Sequence, residues 1–191
     1  LDDHGDLWIL PAGGLDPAVQ IDGPGDTFGV HAPADLDGDG YGDLVATWGY
    51  QDRRGAAGWY RGTATGLASE WSVRIAGEEA NSQLTAAASL GDLDGDGADD
   101  LLLGARGTEV DGAEFAGRLQ VHPGGPDGPS PEPSFVASAS GSRCFFGEGM
   151  ATADYDGDGL SDVAARVSAD TVNGEGSGAV VVVLGDRGWA P

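Results

Sequence analysis

Short apolar segments alternate along the chain with segments rich in glycine and aspartate. Three apolar segments begin with an aspartate and have the composition of β-strands, residues 43–47, 100–105 and 162–165. A second apolar segment follows each of them after a glycine-containing stretch, at residues 58–61, 117–122 and 178–184. Turn-forming residues lie between the segments, which favours antiparallel hairpins. Because no segment keeps a helical period of three to four residues, we predict an all-β fold.

One unit recurs along the chain. An acidic segment of pattern D-x-D-G-D-G-x-x-D leads into each aspartate-led strand, and the copies begin at Asp35, Asp92 and Asp154, 57 and 62 residues apart. Recurrence at such a period is typical of a repeat fold. Residues 7–10 resemble residues 59–61 and would supply the last two strands of a unit, whereas the last unit has no fourth strand. We therefore predict sheets of two, four, four and three strands.

The acidic segments have the residues of calcium-binding loops. Calcium takes six to eight oxygen ligands at about 2.3–2.6 Å, and short aspartates on a curled loop can surround one ion. Glycines at positions 4 and 6 permit the positive φ angles of a sharp turn, so that the carbonyl of position 7 can face the ion. Four carboxylates held this close repel one another by about 1–4 kcal/mol per pair, which a cation offsets. The predicted ligands are Asp35, Asp37, Asp39, Tyr41 and Asp43 in the first loop, Asp92, Asp94, Asp96, Ala98 and Asp100 in the second, and Asp154, Asp156, Asp158, Leu160 and Asp162 in the third.

Other interpretations of the loops fit less well. An EF-hand needs a glutamate at position 12 and flanking helices, but this position is Ala46, Leu103 or Ala165 inside a predicted strand. Magnesium keeps its waters and rarely fills a site made only of protein ligands. A single D-x-D-G-D segment can be a solvated turn, whereas three copies in register favour a metal. We therefore expect three calcium ions.

Composition supports a folded protein with cations as partners. The chain has 191 residues, of which 40% are apolar, enough for the core of one domain. All nine basic residues are arginine, against 32 acidic residues, and the net charge of −23 argues against binding to nucleic acid or to anionic membrane surfaces. We expect no membrane insertion, and the N-terminus shows no signal peptide. Cys144, the single cysteine, is expected to be buried and inert.

Patterns that would indicate catalysis are weak. The chain has no G-x-S-x-G segment, and His4, His31 and His122 lack metal-ligand spacing, so strand or surface roles are favoured for them. Core packing is favoured for Trp59, while recognition and packing are equally good interpretations of the segment 48–54. We therefore expect that the protein is not an enzyme.

The residues around the loops resemble those of the FG-GAP repeat family, whose β-propeller blades occur in integrin α subunits and in many bacterial surface proteins. The matching segments are residues 28–29 with 35–43, 84–85 with 92–100 and 104–105, and 146–147 with 154–162. The second copy lacks Phe-Gly and no copy has proline after Gly-Ala, so membership of the integrin branch does not follow. The resemblance implies four-stranded antiparallel blades in which the calcium loop joins the first and second strands.

The resemblance implies a single repeat domain over residues 1–191 with about three to four blades. We predict a partial blade at residues 1–25, blades at 26–80 and 81–138, and a partial blade at 139–191. Propellers usually have four to eight blades. Three arrangements therefore stay open: a piece of a longer protein, a ring closed by self-association, or an incomplete or compact ring.

The function that the resemblance implies is that of a noncatalytic calcium-binding module, integrin-like, in a secreted or cell-surface protein. Such a module mediates cell adhesion or binds a protein or glycan ligand. The alternatives are a propeller-type polysaccharide lyase or hydrolase, its accessory carbohydrate-binding part, or a spacer. We expect the calcium ions to hold the blades together, with the ligand bound elsewhere on the surface.

Overall fold

The computed structural model describes residues 6–9, 19–22, 28–48, 53–168 and 177–190. These ranges contain β-strands and a 3-10 turn at Arg187–Trp189, and they contain no α-helix. The predicted all-β fold is confirmed. The strands are β1 (Asp6–Ile9), β2 (Val19–Asp22), β3 (Phe28–Ala34), β4 (Asp43–Trp48), β5 (Ala56–Tyr60), β6 (Val73–Ala76), β7 (Leu84–Gly91), β8 (Asp100–Ala105), β9 (Arg118–His122), β10 (Phe135–Ser138), β11 (Met150–Ala153), β12 (Asp162–Val167) and β13 (Ala179–Val183).

The strands form separate antiparallel sheets in which every neighbour in a sheet is also a neighbour in the chain. β1 and β2 pair with each other. β3 to β6 form the first blade, β7 to β10 the second, and β11 to β13 the third. Two, four, four and three strands are the numbers that the repeat predicts. Because none of these sheets closes into a barrel, the architecture is that of propeller-like blades.

The core lies between successive blades, because side chains alternate between the two faces of each strand. Leu101 and Leu103 of β8 share one buried cluster with Trp59 of the first blade. Leu102 lies between them in sequence and shares a second cluster with Val163 of the third blade. Burying side chains of this size stabilises the fold by about 1.5–3 kcal/mol each. The second blade is therefore held on both faces, and the core role predicted for Trp59 is confirmed.

A backbone bridge between blades occurs twice at equivalent positions. Gly55, directly before β5, forms a parallel bridge with Leu84, and Gly117, directly before β9, forms one with Phe146. The N–H groups of Leu84 and Phe146 donate to the carbonyls of the residues before the glycines, over 3.1 and 3.0 Å. The glycines have φ of +77° and +90°, and a Cβ on either would overlap the backbone of the bridged residue. These positions therefore require glycine.

The third blade also has a glycine directly before its third strand, but the nearest atoms to a Cβ there belong to the same blade. Gly178, directly before β13, has φ of +67°, and a Cβ there would come no closer than 3.4 Å to other atoms. Val180 and Val182 are 69% and 49% exposed. They follow Gly178 at the same distances in sequence at which Leu119 and Val121 follow Gly117 in the second blade. Leu119 and Val121 are buried. The third blade thus presents an apolar sheet face at the surface, and self-association stays one of the three open arrangements of the ring.

Trp48, His122 and Cys144 are all buried. Trp48 is buried, which identifies it as a packing residue, while residues 49–52 of the same segment lie outside the described ranges. His4 also lies outside them. His122 is a buried strand residue that hydrogen bonds through Nδ1 with a backbone carbonyl. Cys144 is buried, as expected.

His31 of β3 connects the first blade to the second. The Ala87 N–H of β7 donates to His31 Nδ1 over 3.3 Å, so Nε2 carries the proton of the neutral ring. Nε2 lies 2.9 Å from Thr47 Oγ1, which in turn donates to the Thr85 carbonyl over 3.1 Å. Gly29 leaves room for this chain of bonds, because a Cβ there would lie 2.6 Å from Thr47 Oγ1. Burial lowers the pKa of His31, and a protonated ring could not accept the Ala87 N–H.

We expect His31 to make the free energy of unfolding depend on pH. A histidine in the unfolded chain titrates near about 6.5, and a lowered pKa in the folded state means that the unfolded chain takes up the proton first. The stability contributed by the neutral ring is therefore complete above this pH and is lost as the pH falls below it, by up to about 1.4 kcal/mol per pH unit. Urea unfolding at about pH 7.5 and about pH 5.5 should show a smaller loss for His31→Gln than for the wild type. Equal losses in the two proteins would contradict this role.

Candidate metal centre

The three acidic loops all join the first and second strands of a blade. They span residues 35–43 between β3 and β4, 92–100 between β7 and β8, and 154–162 between β11 and β12. The first two loops are hydrogen bonded to each other, because the Asp99 N–H donates to the Asp35 carbonyl over 2.7 Å and the Asp35 N–H donates to Asp99 Oδ2 over 3.1 Å. The loops therefore connect blades as well as strands.

Within each loop, the aspartates at positions 1, 3 and 5 hold the backbone in a tight curl. Position 1 accepts the N–H of position 6 over 2.8 Å at Asp35, 3.0 Å at Asp92 and 3.0 Å at Asp154. Position 3 accepts the N–H of position 5, and position 5 accepts that of position 7, in all three copies. The glycines at positions 4 and 6 have φ between +68° and +97°, which confirms the turn predicted for them.

The carboxylates converge at distances suited to one cation in each loop. One oxygen from each member of a group of three lies within 4.8 Å of the others; the groups are Asp35, Asp37 and Asp39, then Asp92, Asp94 and Asp96, then Asp154, Asp156 and Asp162. Positions 3 and 5 use Oδ1 for the loop amides, which leaves Oδ2 for an ion. In the first loop, Oδ2 of position 3 is buried and accepts no hydrogen bond, and the Arg61 guanidinium lies beside it as a positive charge. Clustered, anionic oxygen donors are what calcium prefers, so the residues present fit this ion.

The aspartate at position 9 fastens each loop to its sheet. Its Oδ2 accepts the N–H of loop position 2, over 2.8 Å at Asp43, 2.9 Å at Asp100 and 2.7 Å at Asp162. Its Oδ1 accepts the N–H of a glycine two residues after the third strand of the blade, over 2.7, 2.9 and 2.7 Å respectively. All three side chains are buried. Position 9 thus ties the loop, the second strand and the end of the third strand together.

The pKa values of the loop carboxyl groups show the cost of burying them close together. Burial raises the pKa of Asp43, and it raises that of Asp100 to about 6. Burial, and then the charge of Asp43, raises the pKa of Asp37. At Asp162, the hydrogen bond from the Gly185 N–H outweighs burial and lowers the pKa. A cation held by the loops would favour the ionised form of every one of these groups.

Only some of the fifteen predicted ligands belong to the groups of converging oxygens. Asp43, Asp100 and Asp158 lie outside the three groups of converging oxygens, and in the third loop Asp162 takes the place that position 5 has in the other two. The three carbonyl ligands, those of Tyr41, Ala98 and Leu160, stay predictions. The calcium ion itself also stays a prediction.

The loops at the opposite end of the blades form a second connected surface, the loop face, made of residues 77–83, 106–117 and 139–149. Within it the Phe145 N–H donates to the Phe115 carbonyl over 2.9 Å, and the two rings lie 5.7 Å apart. A small cavity of about 120 Å³ opens beside Phe115. Six of the seven non-glycine residues with positive φ in the described ranges belong to this face: Asn81, Gln83, Asp111, Phe115, Arg143 and Phe145. Phe146-Gly147 is the one sequence motif that falls within this surface, and such strained backbone is concentrated at functional sites.

Comparison with known proteins identifies two matching segments. Residues 35–103 match the FG-GAP-like repeat, and residues 146–183 match the FG-GAP repeat. The first match covers two acidic loops, and the second covers Phe146, Gly147 and the third loop. No curated protein matches the chain. No helix within the described ranges is long and apolar enough to cross a membrane.

Proposed function

Because the chain is an FG-GAP repeat protein with integrin-like β-propeller blades, we propose that it is a noncatalytic calcium-binding module of an extracellular or cell-surface protein. In this proposal, the module binds a protein or glycan ligand in adhesion. The observation that carries the calcium part is the recurrence, in all three loops, of one set of hydrogen bonds around a cluster of carboxylates. A solvated turn has no reason to repeat this arrangement three times.

Calcium has a structural role in this proposal. An ion held by positions 1, 3 and 5 stiffens a loop that position 9 already ties to the second and third strands. Binding adds RT ln(1 + [Ca²⁺]/Kd) to the free energy of unfolding. Extracellular modules bind calcium with a Kd of roughly 10⁻⁴–10⁻³ M, so that the ions stay bound where calcium is abundant.

The ligand is expected at the loop face, because its strained backbone and exposed side chains are not needed to bind calcium. Aromatic and arginine side chains, which anchor many interfaces, are present there as Phe115, Phe145 and Arg143. An array of glycans and purified surface proteins, probed with the calcium-loaded chain, tests this part of the proposal. Binding to none of them would contradict it.

Replacing Asp92 and Asp94 by asparagine is expected to reduce the number of bound calcium ions from three to two. The substitutions keep the size of both side chains but remove two of the three charges that converge in the second loop. Isothermal titration calorimetry at saturating calcium counts the ions.

The matched control replaces Glu109 and Glu114 of the loop face by glutamine, which removes the same charge away from the acidic loops. This control should bind as many ions as the wild type. No calcium uptake by the wild type would contradict the proposed function, and unchanged uptake by the asparagine variant would contradict the assignment of the site.

A further inference from the structure

The first acidic loop differs from the other two by holding an arginine. Arg61, directly after β5, places Nε 2.5 Å from Asp37 Oδ2 and Nη2 3.0 Å from Asp39 Oδ2. The Nε–H is directed at Asp39, over 3.2 Å, so Asp37 Oδ2 has the positive charge beside it but accepts no hydrogen bond. The guanidinium therefore lies on the two oxygens that positions 3 and 5 would offer to a metal ion.

Strand register shows that the other loops have no arginine at the position equivalent to Arg61, and Arg187, which lies beside the second loop, donates to the Leu93 carbonyl over 3.4 Å. Leu44, Leu101 and Val163 pair with the last residues of β5, β9 and β13. The residue directly after each of these three strands therefore lies opposite the aspartate at position 9 of the loop. These residues are Arg61, Pro123 and Leu184. Proline and leucine cannot neutralise a carboxylate. Among equivalent positions, the arginine is thus a property of the first loop alone.

We propose that Arg61 is a built-in competitor for calcium at the first loop. An entering ion must displace the guanidinium from Asp37 and Asp39, which the second and third loops do not require. The first loop therefore binds calcium more weakly than the other two and keeps its closed form when calcium is absent. This inference rests on the proposed function, because it presumes that the loops bind calcium.

The strength of the competition follows from the surroundings of the ion pair. The Asp37 side chain is fully buried, so its charge needs a partner. The Arg61 side chain is 43% exposed, so it can swing into solvent when calcium takes its place. Because an exposed partner is screened by water, displacement weakens calcium binding without abolishing it. We expect the difference in Kd to be about tenfold, equivalent to about 1.4 kcal/mol.

Calcium titration of the wild type and of Arg61→Gln, followed by ¹⁵N NMR, tests the inference loop by loop. The N–H groups of Gly40, Gly97 and Gly159 each donate to the first aspartate of their own loop and report on it separately. In the wild type, Gly40 should respond at higher calcium than the other two. In Arg61→Gln, its midpoint should fall about tenfold, to join theirs.

The control is Arg166→Gln, which removes an equal charge from an arginine that pairs with Glu148, away from the acidic loops. It should leave all three midpoints unchanged. A second measurement needs no variant: in EGTA, the Gly40 amide of the wild type should exchange with deuterium more slowly than those of Gly97 and Gly159.

The outcomes separate this inference from the function on which it rests. If all three glycines respond to calcium with the same midpoint and Arg61→Gln changes nothing, the competitor role is wrong while calcium binding stands. If the midpoint of the Gly40 response rises in Arg61→Gln, the first loop has lost affinity for calcium. The arginine then supports calcium binding, and the inference is again wrong. If no glycine responds to calcium, the proposed function fails and the competition fails with it. Should Arg61→Gln not fold, equal midpoints in the wild type are sufficient to overturn the inference.

Discussion

Removal of calcium with EGTA is expected to lower the Tm of the protein by roughly 8–32 °C. At about 10 mM calcium, a site with a Kd of roughly 10⁻⁴–10⁻³ M contributes about 1.4–2.7 kcal/mol by mass action, so three sites contribute roughly 4–8 kcal/mol. For a chain of this size, each kcal/mol shifts the Tm by about 2–4 °C. The repelling carboxylates are the physical reason, because without the ions they favour an open loop wherever no arginine pairs with them.

Thermal unfolding followed by circular dichroism or calorimetry measures this effect. EGTA saturated beforehand with calcium is the matched control and should leave the Tm unchanged. Magnesium should restore much less of the lost stability, since it gives up its waters reluctantly. A Tm that is the same in calcium and in EGTA would rule out a structural role for calcium.

Gly117→Ala is expected to lower the free energy of unfolding by about 4 kcal/mol or more. Non-glycine residues at such a φ cost about 1–3 kcal/mol, and overpacking adds a similar amount. Here the new Cβ would overlap the backbone N and O of Phe146, so the bridge between the second and third blades must open. Urea unfolding in calcium measures the loss.

Gly178→Ala is the matched control for this prediction. Gly178 has the equivalent position in the third blade and a positive φ, but a Cβ there would come no closer than 3.4 Å to other atoms. Its loss should be limited to the backbone strain, about 1–3 kcal/mol. Equal losses for Gly117→Ala and Gly178→Ala would show that the clash with the next blade contributes nothing.

Much of the fold could be predicted from the sequence, because it depends on residues that lie close together in the chain. Aspartates and glycines within nine residues determine the curl of an acidic loop, and the nearly continuous apolar runs of β4 and β8 are those of strands buried on both faces. These interactions are short in sequence, so the pattern contains them. The number of strands in each sheet, the positive φ of the loop glycines and the core position of Trp59 all follow from it.

Contacts between residues distant in sequence could not be predicted in this way. His31 meets Ala87 across 56 residues, and Arg61 reaches Asp39 across 22. Nothing near Gly117 in sequence shows that the backbone of Phe146 will lie against it. Each of these contacts depends on how one blade or strand packs on another, which the composition of a single unit does not encode.

The hairpin order of the blades has a consequence for how the chain folds. Within the described ranges, each strand pairs with its neighbours in sequence, so each pairing closes a short loop at a small entropic cost. The contact order within the sheets is therefore low for an all-β protein, and low contact order favours fast folding. Each blade can nucleate by itself, as units of repeat proteins do. We therefore expect the slow step to be the joining of finished blades at Gly55 and Gly117, where two backbones come together without a side chain between them.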